Sequence, residues 1–178
     1  VLYKEFFQLA FYDHEHIEIK QLSIYSKIDL EPEYDFIFSI PAFGGKGADE
    51  YSYSYRSREY EGIATENLLP LLGEEGIFYE IVPAKFAFGS SLRKVRSWIN
   101  QEYAVQSLYI LPEGTFRPYT GIKTYLLGIT QQTLNDITIG TLTLTNQLFY
   151  LEGSKKIKRY EFEKHEDWRI ELFLVDDE

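Results

Sequence analysis

The sequence predicts an α/β domain, on three observations. Apolar strand-like runs occur at Tyr34–Ile40, Ile77–Val82 and Ala104–Leu111, a proline directly closes each, and helix-like stretches lie between them. A continuous apolar run such as YDFIFSI marks a strand buried on both faces, as the interior of a parallel sheet demands. Proline has no N–H to give a ladder, so the strands end at Pro41, Pro83 and Pro112. Residues 63–72 (IATENLLPLL) read as a helix, with Gly73–Gly76 as the turn out of it. Ser90 or Ser91 is placed to cap a second helix running to about Glu102, with Leu92, Val95 and Ile99 on one face. Arg93, Lys94 and Arg96 fall on its other side and are expected in solvent.

The flanks are read in the same way. Residues 1–12 (VLYKEFFQLAFY) fit a helix with Leu2, Phe6 and Leu9 on one side, and Ile17–Gln21 (IEIKQ) a short strand. The stretch from Phe43 to Gly62 holds three glycines and then YSYSYRSREY, whose alternating tyrosines fit a surface strand or a loop. Its FGGKG lacks the G-x-x-x-x-G-K-(S/T) spacing of a phosphate-binding loop. After Pro112, the loop PEGTFRPYTG leads into a strand at Ile122–Thr130. Residues 137–151 then alternate with a period of two around Asn146-Gln147, as a hairpin does. The expected division is therefore residues 1–133 as the α/β domain and 134–178 as a β-rich extension. KKIKR at 155–159 reads as a solvated strand or turn, and the carboxylate pairs Glu74-Glu75 and Asp176-Asp177 as surface.

Composition removes several kinds of chemistry. At 178 residues the chain is sized for one domain, or one domain with a small appendage, and such a domain buries roughly two-thirds of its unfolded surface and needs no staple. With 15 Tyr and 13 Phe, many tyrosines are expected half-exposed, ring packed and hydroxyl wet. The absence of Cys excludes disulfides, a thiolate nucleophile and Cys-based zinc. His14 and His16 have the H-x-H spacing that shares one face of a strand, but read as a polar loop; no metal site is expected. The net charge of −10 argues against a free-standing nucleic-acid binder, which carries a basic face. No run approaches the ~18 apolar residues of a membrane span and no signal-peptide pattern opens the chain, so a soluble cytoplasmic protein is expected. A chain that opens on Val1 and holds no Met is expected to be a fragment or edited form of a longer protein.

From Asp35 onward a more specific signal appears. YDFIFSIPAFG resembles the (F/Y)D-x-(I/V)-x-(S/G)-N-P-P-(F/Y)-G segment of N6-adenine DNA methyltransferases. GEEGIFYEIVPAKFAFGSSLRKVRSWI resembles the helix–strand–helix unit that follows it there. LPEGTFRPYTGIKTYLLGI resembles the LP-x-G-x-F-x-(P/G)-x-TGIKT-x-(I/L) signature of type I restriction–modification methylase subunits. The likeness covers about residues 17–130. It implies a Rossmann-like fold dependent on S-adenosylmethionine (SAM): a mainly parallel sheet, helices on both faces and an antiparallel strand near one edge. It places IEIKQ as third strand, YDFIFSI as fourth and IFYEIV as fifth. The glycine-rich cofactor loop of the family follows the first strand, so the fold is expected to be truncated on its N-terminal side.

The resemblance also implies chemistry. Methylating adenine N6 requires a base flipped out of the duplex, because the amino group is otherwise paired and stacked. A polar side chain and a proline carbonyl accept its hydrogen bonds, and an aromatic ring stacks on the base. Positioning supplies most of the rate. Here Ile40, Pro41, Ala42 and Phe43 occupy that motif. Phe43 keeps the stacking ring and Pro41 the proline, but Ile40 stands where the polar acceptor belongs and Ala42 replaces the second proline. An amino group brought there loses a partner it had in water, at a cost of ~1–3 kcal/mol. Ser39 is one residue early, and strand alternation turns it away. The acidic contact to the cofactor adenine is also missing: Leu22, ahead of Ser23, stands at the matching place. Arg117 and Lys123, in the loop that the family sets beside the target base, are candidates for DNA phosphate contacts.

These residues imply a DNA adenine-N6 methyltransferase domain of a restriction–modification system, a fragment or degenerate with impaired catalysis. SAM is the family's cofactor and is not expected to bind this chain alone. Double-stranded DNA and restriction–modification subunits are the implied partners. The alternative is a non-catalytic, methylase-like platform for protein or DNA.

Overall fold

A computed structural model describes residues 2–14, 16–31, 33–47, 56–145 and 148–175. Six strands form one sheet: β1 (Tyr34–Ser39), β2 (Leu72–Pro83), β3 (Ala104–Ile110), β4 (Thr124–Thr130), β5 (Asp136–Thr145) and β6 (Leu148–Lys158). Their spatial order is β1-β2-β4-β3-β5-β6. β1 lies parallel to β2 and β3 parallel to β5, while β4 is antiparallel to both neighbours and β6 to β5. Four strands thus run one way, with β4 inserted against them. The helices are α1 (Leu2–Ala10), α2 (Tyr60–Leu68), α3 (Lys85–Phe88), α4 (Arg93–Glu102), α5 (Arg159–Glu163) and α6 (Glu171–Leu174).

The proline-closed strands form where the sequence places them, and the hairpin expected around Asn146-Gln147 is β5 and β6. Asn146, Gln147 and the tyrosines at 51–55 lie outside the described residues. The turn expected at Gly73–Gly76 is absorbed into β2. The pairing jumps there from Tyr34↔Leu72 to Phe36↔Ile77, so the extra residues bulge rather than end the strand.

Three expectations are corrected. Residues 17–21 form no strand; Ile17 is 46% exposed, and among the described residues no strand pairs with that segment. Neither Ser90 nor Ser91 caps α4: residues Ser90–Leu92 make a 3-10 turn, and Leu92 sits at the cap without a side-chain bond. Arg96 is not solvated. It is 2% exposed, and its guanidinium donates to the carbonyl oxygens of Phe86 (2.9 Å), Gly89 (2.9 Å) and Glu166 (3.1 Å).

One face of the sheet carries the core. Phe78, Val82, Leu108, Leu127 and Ile129 pack there with Val95 and Ile99 of α4. Ile137 and Ile139 of β5, Ile157 of β6, and Phe162 and Trp168 beyond it belong to the same cluster. Trp168 packs its ring against Phe86 and Phe162 and donates its backbone N–H to the Ala87 carbonyl at 2.7 Å. Residues 134–175 therefore widen the sheet and close its core.

The other face differs. The resemblance implied helices on both faces, but among the described residues the packed helices gather on the core face. Phe36 (61% exposed) and Phe38 (51%) of β1 lie level with Ile77 and Tyr79 of β2 on the opposite face. Ile81 and Leu126, paired across β2 and β4, continue it half-buried.

Candidate functional site

The site lies at the carboxyl ends of the parallel strands, where ligands of open α/β sheets bind. Three loops meet there: residues 40–47 leaving β1, Pro83–Lys85 leaving β2, and 111–123 joining β3 to β4. The Pro83↔Thr124 pairing and the bond from Ala84 N to the Lys123 carbonyl (2.8 Å) fix the last two together. Between them opens a cavity of about 610 Å³, bounded by Phe43, Lys85, Tyr119, Thr120 and Ile122 among others. Phe116 meets Phe43 edge-on, with centroids 5.5 Å apart.

Of the four motif residues, which lie on the loop leaving β1, Phe43 lines this cavity. Pro41 is buried, Phe43 half-buried, and Ala42 exposed, its N–H donating to the Tyr25 hydroxyl at 2.8 Å. Tyr25 in turn stacks on Tyr60, with centroids 4.2 Å apart. A side chain on Gly45 would strike the Tyr60 ring, so this close approach requires glycine. Ile40 is 54% exposed, and the preceding Ser39 is buried.

Ser39 belongs to a buried polar cluster on the core face that sequence reasoning missed. Its hydroxyl donates to Glu80 Oε1 at 3.0 Å. Burial pushes the Glu80 carboxyl up to about 8, against the hydrogen bonds from Thr65 and Ser39. Thr65 Oγ1 lies 2.5 Å from Glu80 Oε2 and 2.7 Å from the Glu61 carbonyl, with one proton to give. A neutral Glu80 resolves this: its O–H donates to Thr65, and Thr65 donates to the carbonyl. Next to it Lys85 bridges Glu59 (2.7 Å) and fully buried Glu61 (2.9 Å). Burial opposes the charge of Lys85, but the two carboxylates outweigh it and hold the ammonium above its ordinary value. The bond from Lys85 holds Glu59 below the usual carboxylate range. The legible signal was Glu80 itself, a carboxylate inside the apolar run IFYEIV.

The remaining candidates are scattered. Leu22 is 57% exposed, and Ser23 Oγ accepts from the Tyr25 N–H at 3.3 Å within a turn. Asn67 of α2 pins that turn by donating to the carbonyls of Ile24 and Ser26. Arg117 is exposed on the loop, ahead of a cis bond to Pro118. Lys123 is ion-paired with Glu171, which also accepts from the Tyr125 hydroxyl at 2.6 Å. In the basic run, Lys158 pairs with Asp136 and Arg159 with Glu163. No group of three or more His, Cys, Asp or Glu among the described residues could hold a metal ion. No described helix is long and apolar enough to cross a membrane.

An α/β sheet with one antiparallel strand set between parallel ones, and a cavity at their carboxyl ends, defines a methyltransferase-type fold. Solved structures agree on that fold. The type I restriction-modification methyltransferase subunit of Streptococcus thermophilus superimposes with a TM-score of 0.61 at 14% identity, over 81% of this chain and 39% of that one. A protein described as a class I S-adenosylmethionine-dependent methyltransferase from Listeria monocytogenes gives 0.56 at 15% identity, over 66% and 39%. No protein-family model matches the sequence. The chain is homologous to type I restriction enzyme methylase subunits: it is 25% identical over 144 residues to the EcoEI methylase subunit of Escherichia coli. That alignment covers 78% of this chain and 29% of the relative, so the chain spans less than a third of the subunit it matches.

Proposed function

We propose that the chain forms the target-base half of a DNA adenine-N6 methyltransferase domain of a restriction–modification system, with catalysis impaired at its own motif. In this reading residues 1–133 are the methyltransferase-like unit and 134–178 the extension that closes its core. The protein works in the cytoplasm on double-stranded DNA with other restriction–modification subunits. The observation that carries the reading is the contrast between Ser39 and Ile40 at the end of β1. Phe43 and the cavity beside it supply a stacking ring and room for a base. The side chain exposed at the acceptor position is aliphatic, and the nearest hydroxyl is turned into the core, committed to Glu80. A base amino group there finds no side-chain acceptor from either residue.

The residues that would hold SAM do not fit it. Leu22 offers the cofactor's adenine no polar contact, Ser23 is engaged in its turn, and among the described residues no strand on the open side of β1 leads into a glycine-rich loop. No step through SAM is therefore assigned to this chain alone. Arg117 is the freer of the two candidate phosphate contacts, since Lys123 is neutralised by Glu171.

Calorimetric titration of the folded chain with SAM, followed by a transfer assay on duplex DNA, tests the reading. The expected result is neither heat at millimolar cofactor nor methylated DNA. Binding at tens of micromolar would show a working cofactor pocket and sink it. The uncovered sheet face favours a second reading, the interaction platform, for which DNA retention without turnover is the signature.

A further inference from the structure

We infer that Lys85 is the hydrogen-bond donor of the cavity: its ammonium gives one N–H to a ring-nitrogen acceptor of a purine base stacked on Phe43, and Glu59 and Glu61 are the positioning residues that hold it there. The inference rests on reading the cavity as a nucleobase site, and goes beyond it by assigning a specificity-determining residue and the atoms of the base that it reads.

Three observations converge on Lys85. It belongs to the same wall as Phe43, Tyr119 and Thr120, so a cationic side chain and a stacking ring share one cavity of about 610 Å³, a size that suits a small ligand. Its ammonium lies 2.7 Å from Glu59 Oε2 and 2.9 Å from Glu61 Oε1. An ammonium carries three N–H groups, and no other described residue takes the third. Finally, the Lys85 side chain is 35% exposed, while those of Glu59 and Glu61 are 11% and 0%. The carboxylates sit inside, and the lysine is the member of the cluster that a ligand can reach.

The cost of this arrangement argues against a bridge that serves the fold alone. A carboxylate taken out of water is repaid only where its lone pairs are satisfied. Beyond the ion pair with Lys85, neither Glu61 oxygen has a hydrogen-bond partner among the described residues. An apolar pair would hold α2 against α3 at less cost, but it would not fix a charged donor beside the cavity. The main chain there is fixed as well, because Ala84 N donates to the Lys123 carbonyl at 2.8 Å. The two carboxylates keep the ammonium charged. Lys85 can donate and cannot accept, the reverse of the acceptor that Ile40 fails to provide. It therefore reads the acceptors of a base and not its amino group. In a purine such as adenine those acceptors are ring nitrogens.

The test is an NMR titration of the isotope-labelled chain with adenosine and with its deaza analogues, each of which replaces one ring nitrogen by C–H. One analogue is expected to bind at least tenfold more weakly than adenosine, the scale of a hydrogen bond to a charged donor. The Lys85 Nζ resonance should shift with adenosine and stay in place with that analogue, a readout that needs no variant. Lys85→Met strands Glu61, so it is combined with Glu61→Gln; this pair should bind adenosine as weakly as the poor analogue. Glu59→Gln should weaken adenosine and leave the poor analogue unchanged, whereas a merely structural role would weaken both alike. Equal affinity for adenosine and every analogue, or discrimination that survives the loss of Lys85, would overturn the inference and leave the cavity a base site. A Lys85-dependent preference for adenosine monophosphate, with no loss among the analogues, would make Lys85 a phosphate contact and overturn it too. No binding of any nucleoside would remove the nucleobase reading of the cavity along with it.

Discussion

Ser39 Oγ donates a 3.0 Å hydrogen bond to Glu80 Oε1 across the β1–β2 pair, so the last residue of β1 is tied to a buried carboxyl while Ile40 beyond it turns outward. This bond is the hinge between fold and site. It fixes which side chain at the end of β1 is buried and which is left exposed.

The first prediction concerns Glu80. Its carboxyl is raised to about 8 by burial, from an ordinary value of 4.5. Between those values the folded chain holds a proton that the unfolded chain has released, so stability falls as pH rises from 4.5 to 8. Each tenfold difference in proton affinity is worth ~1.4 kcal/mol, so the loss reaches several kcal/mol. Glu80→Gln keeps an acceptor for Ser39 and a donor for Thr65 without the titration. Urea unfolding at pH 5 and pH 9 should show the wild type markedly weaker at pH 9 and the variant nearly level. A parallel decline in both would contradict the neutral carboxyl.

The second separates two arginines on one helix. Arg96→Ala strands the carbonyl acceptors of Phe86, Gly89 and Glu166, one buried and two part-buried, and should destabilise by roughly 3 kcal/mol, the scale of charge-assisted bonds. Arg93 pairs with Glu166 in the open, and its removal should change stability by less than about 0.5 kcal/mol. Equal effects in thermal melts would refute the assignment.

The sequence and the structure part company at such positions for a physical reason. The strands YDFIFSI and IFYEIV are legible because proline and an apolar run are local facts. The hairpin at 136–158 is legible because alternation is local too. A buried Arg is not: a helix pattern sends every charge to water, and only α3 with the glycine after it and Glu166, far along the chain, supply the carbonyls. Likewise IEIKQ has the composition of a strand but no ladder beside it. The motif pointed to the loop that carries Phe43, which lines the cavity, whereas the Glu59–Lys85–Glu61 bridge joins a loop, α2 and α3 and needed the fold.

A third prediction uses Gly128, which lies level with Tyr79 and Ser107 at the centre of the sheet. A Cβ there would come within 2.8 Å of the Tyr79 ring and strike the Ser107 hydroxyl. Gly128→Ala should cost about 1–3 kcal/mol by overpacking. A neutral result in chemical denaturation would mean that both neighbours yield freely.

The fourth addresses the motif. Because Ile40 is exposed, Ile40→Asn should leave stability within about 0.5 kcal/mol. On the proposed function, joining the variant to the SAM-binding part of the E. coli relative should give more methyl transfer to adenine than the same fusion of the wild type, because an acceptor is restored. Unchanged transfer from labelled SAM, with DNA bound equally well, would show that the aliphatic residue is not what limits the chemistry.

The bond from Arg96 to the Glu166 carbonyl has a kinetic meaning as well. It closes the core across 70 positions of sequence, and the bond from Thr130 to the Gly76 carbonyl spans another 54. Contacts this distant must repay loop-closure entropy before they stabilise anything, so this topology belongs among the slow folders. The β5–β6 hairpin can form from its own neighbours early. β1 pairs only with β2 in the described sheet, so its aromatic edge stays open to aggregation until that long-range pairing forms.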